Sequence, residues 1–258
     1  MSTHAERPLA IITGATKRVG LATATELARR GCDVLITHRG SAGPAEFARE
    51  HIQAMAPAAN VKVRTLELDN PAHVEAFARE LASQLPRIDV LVHNASVYEP
   101  TPLESLTVEQ CEQAYRVNAI APLVLTRALA PKLSASTMRG GGSIVTLCDI
   151  HATGESSLPR KGFFAYAMSK SALAQLTMDL ARELAPRVRV NAVAPGVVAF
   201  PDEGPESDPA MQERYLKRVP LARSGTVEEA AKAVTFLAFD ATYCTGQVLR
   251  VDGGRAIG

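Results

Sequence analysis

The sequence predicts a single α/β domain, one parallel sheet covered by helices on both faces. Three observations lead there. Short apolar runs alternate with helical stretches along the whole chain, which is the pattern of βαβ units. The first apolar run enters a glycine turn, Gly14-Ala-Thr-Lys-Arg-Val-Gly20, and a helix follows at once. Gly14, Arg39, Asp69, Asn94, Asp149 and Pro195 all fall at the carboxyl ends of the expected strands. That is the edge of an open α/β sheet where ligands bind.

Pro8 to Thr13 reads as the first strand, and the helix after the glycine turn runs from Leu21 to Arg30 and stops at Gly31. Strand, glycine turn and helix aim backbone N–H groups and a helix N-terminus at a pyrophosphate. Asp33 to Thr37 is the second strand, completing a right-handed βαβ unit. Asp33 lies about twenty residues past Gly14, the spacing of a ribose-binding acid, but it opens the strand and so sits at the wrong end. His38 and Arg39 occupy the carboxyl end, with Ser41 close by. No carboxylate there repels a 2′-phosphate and a guanidinium is present to pair with one. The expectation is NADP rather than NAD, with a solvated loop arginine as the alternative.

Phe47 to Met55 is a helix ended near Pro57, and Val61 to Leu68 is the third strand. Asp69 then either meets an adenine edge or caps the helix that begins after Pro71. Ile88 to His93 is the fourth strand, leading into Asn94-Ala-Ser-Val-Tyr98. Thr107 caps a long helix containing Asn118, and an asparagine in mid-helix points to a buried polar role. Gly142 to Leu147 is the fifth strand and delivers Asp149. Phe163 to Ala185, with no internal Pro or Gly, is a helix that puts Tyr166 and Lys170 on one face. A phenol titrates near ~10 in water, and an adjacent lysine cation is expected to lower that value, which suits a proton donor facing a carbonyl or an imine. Val188 to Val193, the loop Ala194-Pro-Gly196, a substrate lid over Phe200 to Tyr215, and a last strand from Gln247 to Val251 complete the chain.

The 258 residues carry a net charge of +1, no basic block and no Trp, so neither nucleic acid nor an anionic membrane is an expected partner. No apolar run is long enough to span a bilayer. The N-terminus lacks the apolar core of a signal peptide. Cys32, Cys111, Cys148 and Cys244 show no paired ligand spacing. They read as reduced thiols of a cytoplasmic protein with no metal site.

Thr13-Gly14…Gly20, Asp69, Asn94-Ala95, Asn118, Tyr166…Lys170, Pro195-Gly196 and Asp252-Gly253-Gly254 together resemble the short-chain dehydrogenase/reductase superfamily over nearly the whole chain. The resemblance implies a Rossmann-type, doubly wound sheet of about seven strands, hydride transfer from a nicotinamide, and a homotetramer or homodimer. Three departures narrow it. Arg18 stands where most members have glycine, His93-Asn94-Ala95-Ser96 replaces Asn-Asn-Ala-Gly, and Asp149 occupies the usual position of the catalytic serine. All three are similar to the pteridine reductase branch, including dihydromonapterin reductases, whose His-Arg-Ser cofactor signature is nearly matched by His38-Arg39-Gly40-Ser41.

That branch implies an NADPH-dependent reductase of a pterin or folate, sending hydride to a ring C=N carbon and a proton to the nitrogen. Gly14, Lys17, Arg18 and Gly20 would hold the cofactor, with Asp69, Asn94, Pro195 and Gly196. Arg18 would also reach the pterin edge with planar donors, Ser96 would contact the substrate and Tyr98 would stack on it. Asp149, with a raised pKa, would deliver the proton. Lys170 would bind the nicotinamide ribose and tune Tyr166, while Asn118 would hold a water linked to Lys170. Asp149 and Tyr166 are further apart in sequence than is usual, through Glu155 to Lys161. A carbonyl reductase using Ser156 or Ser157 is the alternative, and a cofactor-binding regulatory protein is a third. Assembly is expected through a small-residue face made by Ala165, Ala172 and Ala181.

Overall fold

The computed structural model describes residues 7–40, 42–152, 160–200 and 205–257. Its strands are β1 (Leu9–Ile12), β2 (Asp33–His38), β3 (Val61–Thr65), β4 (Val90–His93), β5 (Gly142–Leu147), β6 (Val188–Pro195) and β7 (Val248–Val251). They form one seven-stranded sheet in the order β3-β2-β1-β4-β5-β6-β7, with every neighbouring pair parallel. The order reverses between β1 and β4, which opens a crevice above their carboxyl ends.

Successive residues in each central strand feed opposite faces, as the two-residue period of a strand requires. Ile12, Ile36, Val92 and Val145 pack on one side with α1 (Arg18–Arg29), α2 (Ala42–Met55) and α8 (Val227–Thr235). Ile11, Leu35, Leu91 and Ile144 pack on the other with α3 (Pro71–Gln84), α5 (Ala121–Ser134) and α6 (Phe164–Leu184). The doubly wound arrangement follows directly: a parallel strand must bury both faces.

Some boundaries move. β3 ends at Thr65, short of Leu68, and α2 starts at Ala42 rather than Phe47, because Pro44 is tolerated in a first helical turn. Asp69 is not the cap of α3; Asn70 is, its side chain accepting from the His73 N–H at 3.1 Å. Thr107 does cap α4 (Val108–Tyr115), in a reciprocal capping box with Gln110. The helix then continues through a π turn, Arg116–Ile120, into α5. Asn118 lies inside that wide turn, and Pro122, which cannot donate to the carbonyl four residues earlier, follows directly. Wide turns of this kind recur at functional sites.

The expected small-residue face on α6 is not continuous. Ala165 and Ala181 are buried within the subunit, Ala181 in the apolar cluster with α3 and α5, and Ala172 is half-buried. Exposed instead are Phe164, Met168 and Met178 on α6, and Ile120 and Leu123 beside the π turn. All four cysteines are free thiols, and no His/Cys/Asp/Glu group among the described residues forms a metal cluster. Among those residues no helix is long and apolar enough to cross a membrane.

Candidate active site

A cleft of about 1020 Å³ lies over the carboxyl ends of the strands. Its floor is the glycine turn. Gly14 has φ +64°, and a Cβ there would sit 2.8 Å from the Ala95 side chain; one on Gly20 would sit 2.5 Å from Asn94 Nδ2. Asn94 takes up that space, donating from Nδ2 to the carbonyls of Thr13 (2.9 Å) and Gly14 (2.8 Å). Thr13 Oγ1 in turn accepts from the N–H groups of Asn94 and Ala95. The ends of β1 and β4 are therefore locked together, and α1 starts above them with no side-chain cap and no acidic residue in its first turn. Uncapped N-terminal amides are a ready anion site, so this cradle fits a dinucleotide pyrophosphate.

Lys17 and Arg18 line the cradle. Arg18 has φ +50°, a left-handed conformation shared with only one other described non-glycine residue, Ala222. Its Nη2 spans the cleft to donate to the Ala199 carbonyl at 2.8 Å. At the far end Arg39 Nη1 lies 3.8 Å from Asp69 Oδ2, and both line the cleft. The His38 ring is buried, with Nε2 3.3 Å from Thr65 Oγ1, and the exposed Arg39 guanidinium faces the cleft beside Asp69. Asp33 sits at the opposite edge of the sheet, paired with Arg7. Ser41 lies outside the described residues.

At the other end Tyr166 Oη donates to Asp149 Oδ2 at 2.9 Å, and Asp149 Oδ1 accepts from the His151 N–H at 2.7 Å. The long connection between the two residues has not separated them; its residues 155–159, including Ser156 and Ser157, lie outside the described set. Lys170, also buried, donates from Nζ to the Leu147 carbonyl at 2.6 Å and sits 5.8 Å from the centre of the Tyr166 ring. The expected lowering of the Tyr166 pKa does not occur. Burial, and then the Asp149 charge, push it well above the ordinary phenol value, while burial lowers that of Lys170. The loss of hydration and the neighbouring carboxylate outweigh the opposing Arg160 charge.

Asn118 is fully buried and does not reach Lys170. Its Oδ1 accepts from the Val97 N–H (2.9 Å), and its Nδ2 donates to the Val97 carbonyl (3.1 Å) and Ser169 Oγ (2.9 Å). Ser169 donates onward to the Tyr166 carbonyl. Asn118 thus positions the loop after β4 against the Tyr166 helix. Ser96, Pro195 and Gly196 line the cleft as expected.

Tyr98 lines it too, but is already occupied. Its ring stacks on Phe163 at 4.9 Å and meets the Tyr166 ring edge-on at 4.8 Å. Its hydroxyl donates to Glu206 Oε1 at 2.9 Å, and Glu206 is paired with Arg160. Glu206 lies in a 3-10 turn, Pro205–Ser207, just before α7 (Pro209–Leu216) in the expected lid region; residues 201–204 of that region lie outside the described set.

The family model described as Enoyl-(Acyl carrier protein) reductase matches residues 14–256. The chain belongs to the short-chain dehydrogenase/reductase superfamily. As a member of it, the protein is an oxidoreductase that works with a nicotinamide dinucleotide. It is 34% identical to pteridine reductase 1 of Leishmania tarentolae, covering 100% of this chain and 99% of that one. It is 31% identical to the 3-oxoacyl-[acyl-carrier-protein] reductase FabG of Staphylococcus aureus, over 95% and 96% of the two chains. A solved structure described as a short-chain alcohol dehydrogenase of Sinorhizobium meliloti superposes with a TM-score of 0.86 at 27% identity, covering 96% of each chain.

No local sequence pattern announces Arg160, Glu206 or Arg255 in this superfamily member's cleft. Only α7 has a local signal. Asp208 followed by Pro209 is a helix start, and Asp208 does cap α7.

His93 points away from the chemistry. It is buried with Nε2 2.9 Å from Thr126 Oγ1, and burial lowers its pKa from 6.5 to about 3. Its folded pKa is below its unfolded one, so below pH 6.5 the unfolded chain binds the extra proton. Stability from this group is intact above pH 6.5 and falls with acidification by up to about 1.4 kcal/mol per pH unit. Urea unfolding of His93→Gln between pH 7 and 4 should show a shallower acid decline than the wild type.

Proposed function

We propose that this oxidoreductase uses NADPH to reduce a dihydropterin or dihydrofolate to the tetrahydro form. The observation that carries the reading is the Tyr166–Asp149 hydrogen bond: a carboxylate stands beside the phenol at the hydride end of the cleft. Bound in the cradle, the dinucleotide supplies the hydride. The protein's part is the proton. A ring nitrogen that gains a proton as its neighbouring carbon gains hydride needs an acid within hydrogen-bond reach. Burial keeps the Tyr166 phenol protonated at neutral pH; Tyr166 gives its proton to the ring nitrogen, and Asp149, 2.9 Å away, takes up a proton from solvent and returns it to the phenolate. Asn118, through Ser169, steadies the Tyr166 backbone, Lys170 ties the same helix to the end of β5, and Tyr98 lines the cleft beside the phenol.

The second reading is carbonyl reduction, favoured by the full-length similarity to a 3-oxoacyl reductase. NADPH oxidation over a panel of dihydropterins, dihydrofolate and simple ketones decides between them. Turnover of ketones alone would overturn the pterin reading.

The protein is also proposed to assemble as a homotetramer or homodimer through α4, α5 and α6. The support is the exposed apolar set Phe164, Met168, Met178, Ile120 and Leu123, which a symmetric contact would cover. Light scattering at micromolar concentration should give a mass of two or four subunits, and Met168→Glu should lower it. A monomeric wild type would reject the proposal.

A further inference from the structure

The cleft ends beside Tyr215 in a cation, Arg255, that forms no ion pair among the described residues. Arg255 is 5% exposed and lines the cleft, its guanidinium 5.3 Å over the Tyr215 ring. Nε and Nη1 are buried and have no hydrogen-bond partner among the described residues. The nearby carboxylate of Asp252 is already engaged, Oδ1 by the Gly254 N–H (3.0 Å) and Oδ2 by the Ala256 N–H (2.9 Å). Arg189 shows what a structural buried arginine looks like in this protein. Its nitrogens donate to the carbonyls of Gly140, Leu237, Ala238 and Ala241. Arg255 has no such set.

A buried cation with unmade hydrogen bonds opposes folding. Such a group is retained where a ligand brings the missing charge. Its location limits which ligand. Tyr215 Oη accepts from the Val197 N–H at 3.2 Å, so Arg255 belongs to the Pro195–Gly196 end. The expected 2′-phosphate end, at Arg39 and Asp69, is elsewhere, and the pyrophosphate cradle has its own amides. What is left is the substrate. The planar guanidinium fork matches a carboxylate.

We infer that Arg255 binds a carboxylate on the substrate, borne by a tail that extends from the reducible ring past Tyr215. This rests on the pterin or folate reading and refines it: the substrate is a carboxylate-bearing folate rather than a pterin with a neutral side chain.

The test compares dihydrofolate with dihydrobiopterin, which shares the ring and lacks the carboxylates, in wild type, Arg255→Met, Arg255→Gln and Arg255→Lys. Loss of a hydrogen-bonded charge pair should raise the dihydrofolate KM about 10- to 100-fold. That rise should exceed any change for dihydrobiopterin by about tenfold, with kcat nearly constant and Lys restoring part of the loss. Arg255→Met should melt no lower than wild type. Equal losses on both substrates, an unmoved dihydrofolate KM, or a lower melting temperature with both activities reduced would each overturn the inference, the last by making Arg255 structural. If wild type reduces no pterin, the pterin reading fails on its own, and the same variants are then assayed with a 3-oxo acid and its methyl ester. A preference for the acid that disappears in Arg255→Met keeps the carboxylate site; no such preference removes it.

Discussion

Asp149→Asn should lower dihydropterin turnover by about 10²–10⁴, the usual worth of one general acid, while NADPH binding measured by fluorescence survives. The reasoning is local. Asp149 now accepts two hydrogen bonds, one from Tyr166 Oη and one from the His151 N–H. An asparagine of the same shape has one acceptor oxygen for those two donors and no proton to pass on. The cradle at Gly14 and Gly20 and the Lys170 ammonium make no contact with that carboxylate's oxygens, so the cofactor should stay. The variant also removes one of the two main causes that raise the Tyr166 pKa, so ultraviolet titration should find the phenol more acidic than in wild type. Asp149→Ser should move the other way for carbonyls, supplying a hydroxyl to a substrate oxygen, and weak ketone reduction should appear. A wild type active on ketones and on no pterin, with Asp149→Asn harmless, would sink the assignment.

Arg39→Ala should weaken NADPH far more than NADH, by about 10- to 100-fold, the range of one charge-assisted pairing. Two effects add. The guanidinium is lost as a partner for the 2′-phosphate, and Asp69, 3.8 Å away in the present structure, is left as an uncompensated carboxylate facing the same phosphate. NADH lacks the phosphate and should lose little. The pair is partly exposed, so the discrimination should shrink as salt rises. Arg39→Ala combined with Asp69→Asn should recover part of the NADPH loss by removing the repulsion. Equal losses for both cofactors would count against a phosphate contact.

The architecture was legible because parallel strands buried on both faces leave continuous apolar runs, and because Gly14 and Gly20 occupy positions that no side chain fits. Asn118 was legible for a related reason: an asparagine in mid-helix needs a buried partner, and it has three bonds. What failed were statements about environment. The spacing of Tyr166 and Lys170 gives their shared face but not their hydration, and hydration set the direction of both pKa shifts. The alanines of α6 were correctly seen as small, yet whether a small residue faces the core or the solvent depends on helix rotation against the sheet. Arg160, Glu206 and Arg255 come together over sequence distances that no local pattern encodes.

Arg18 has a consequence for anyone engineering this protein. A side chain held at φ +50° sacrifices about 1–2 kcal/mol relative to the glycine that the turn would otherwise prefer, and its single exposed bond to Ala199 returns only part of that. Thermostability screens and consensus design both favour glycine at such a position. In a library ranked by heat resistance, residue 18 is therefore one to hold fixed, since the substitution that improves the score there removes the guanidinium spanning the mouth of the cleft.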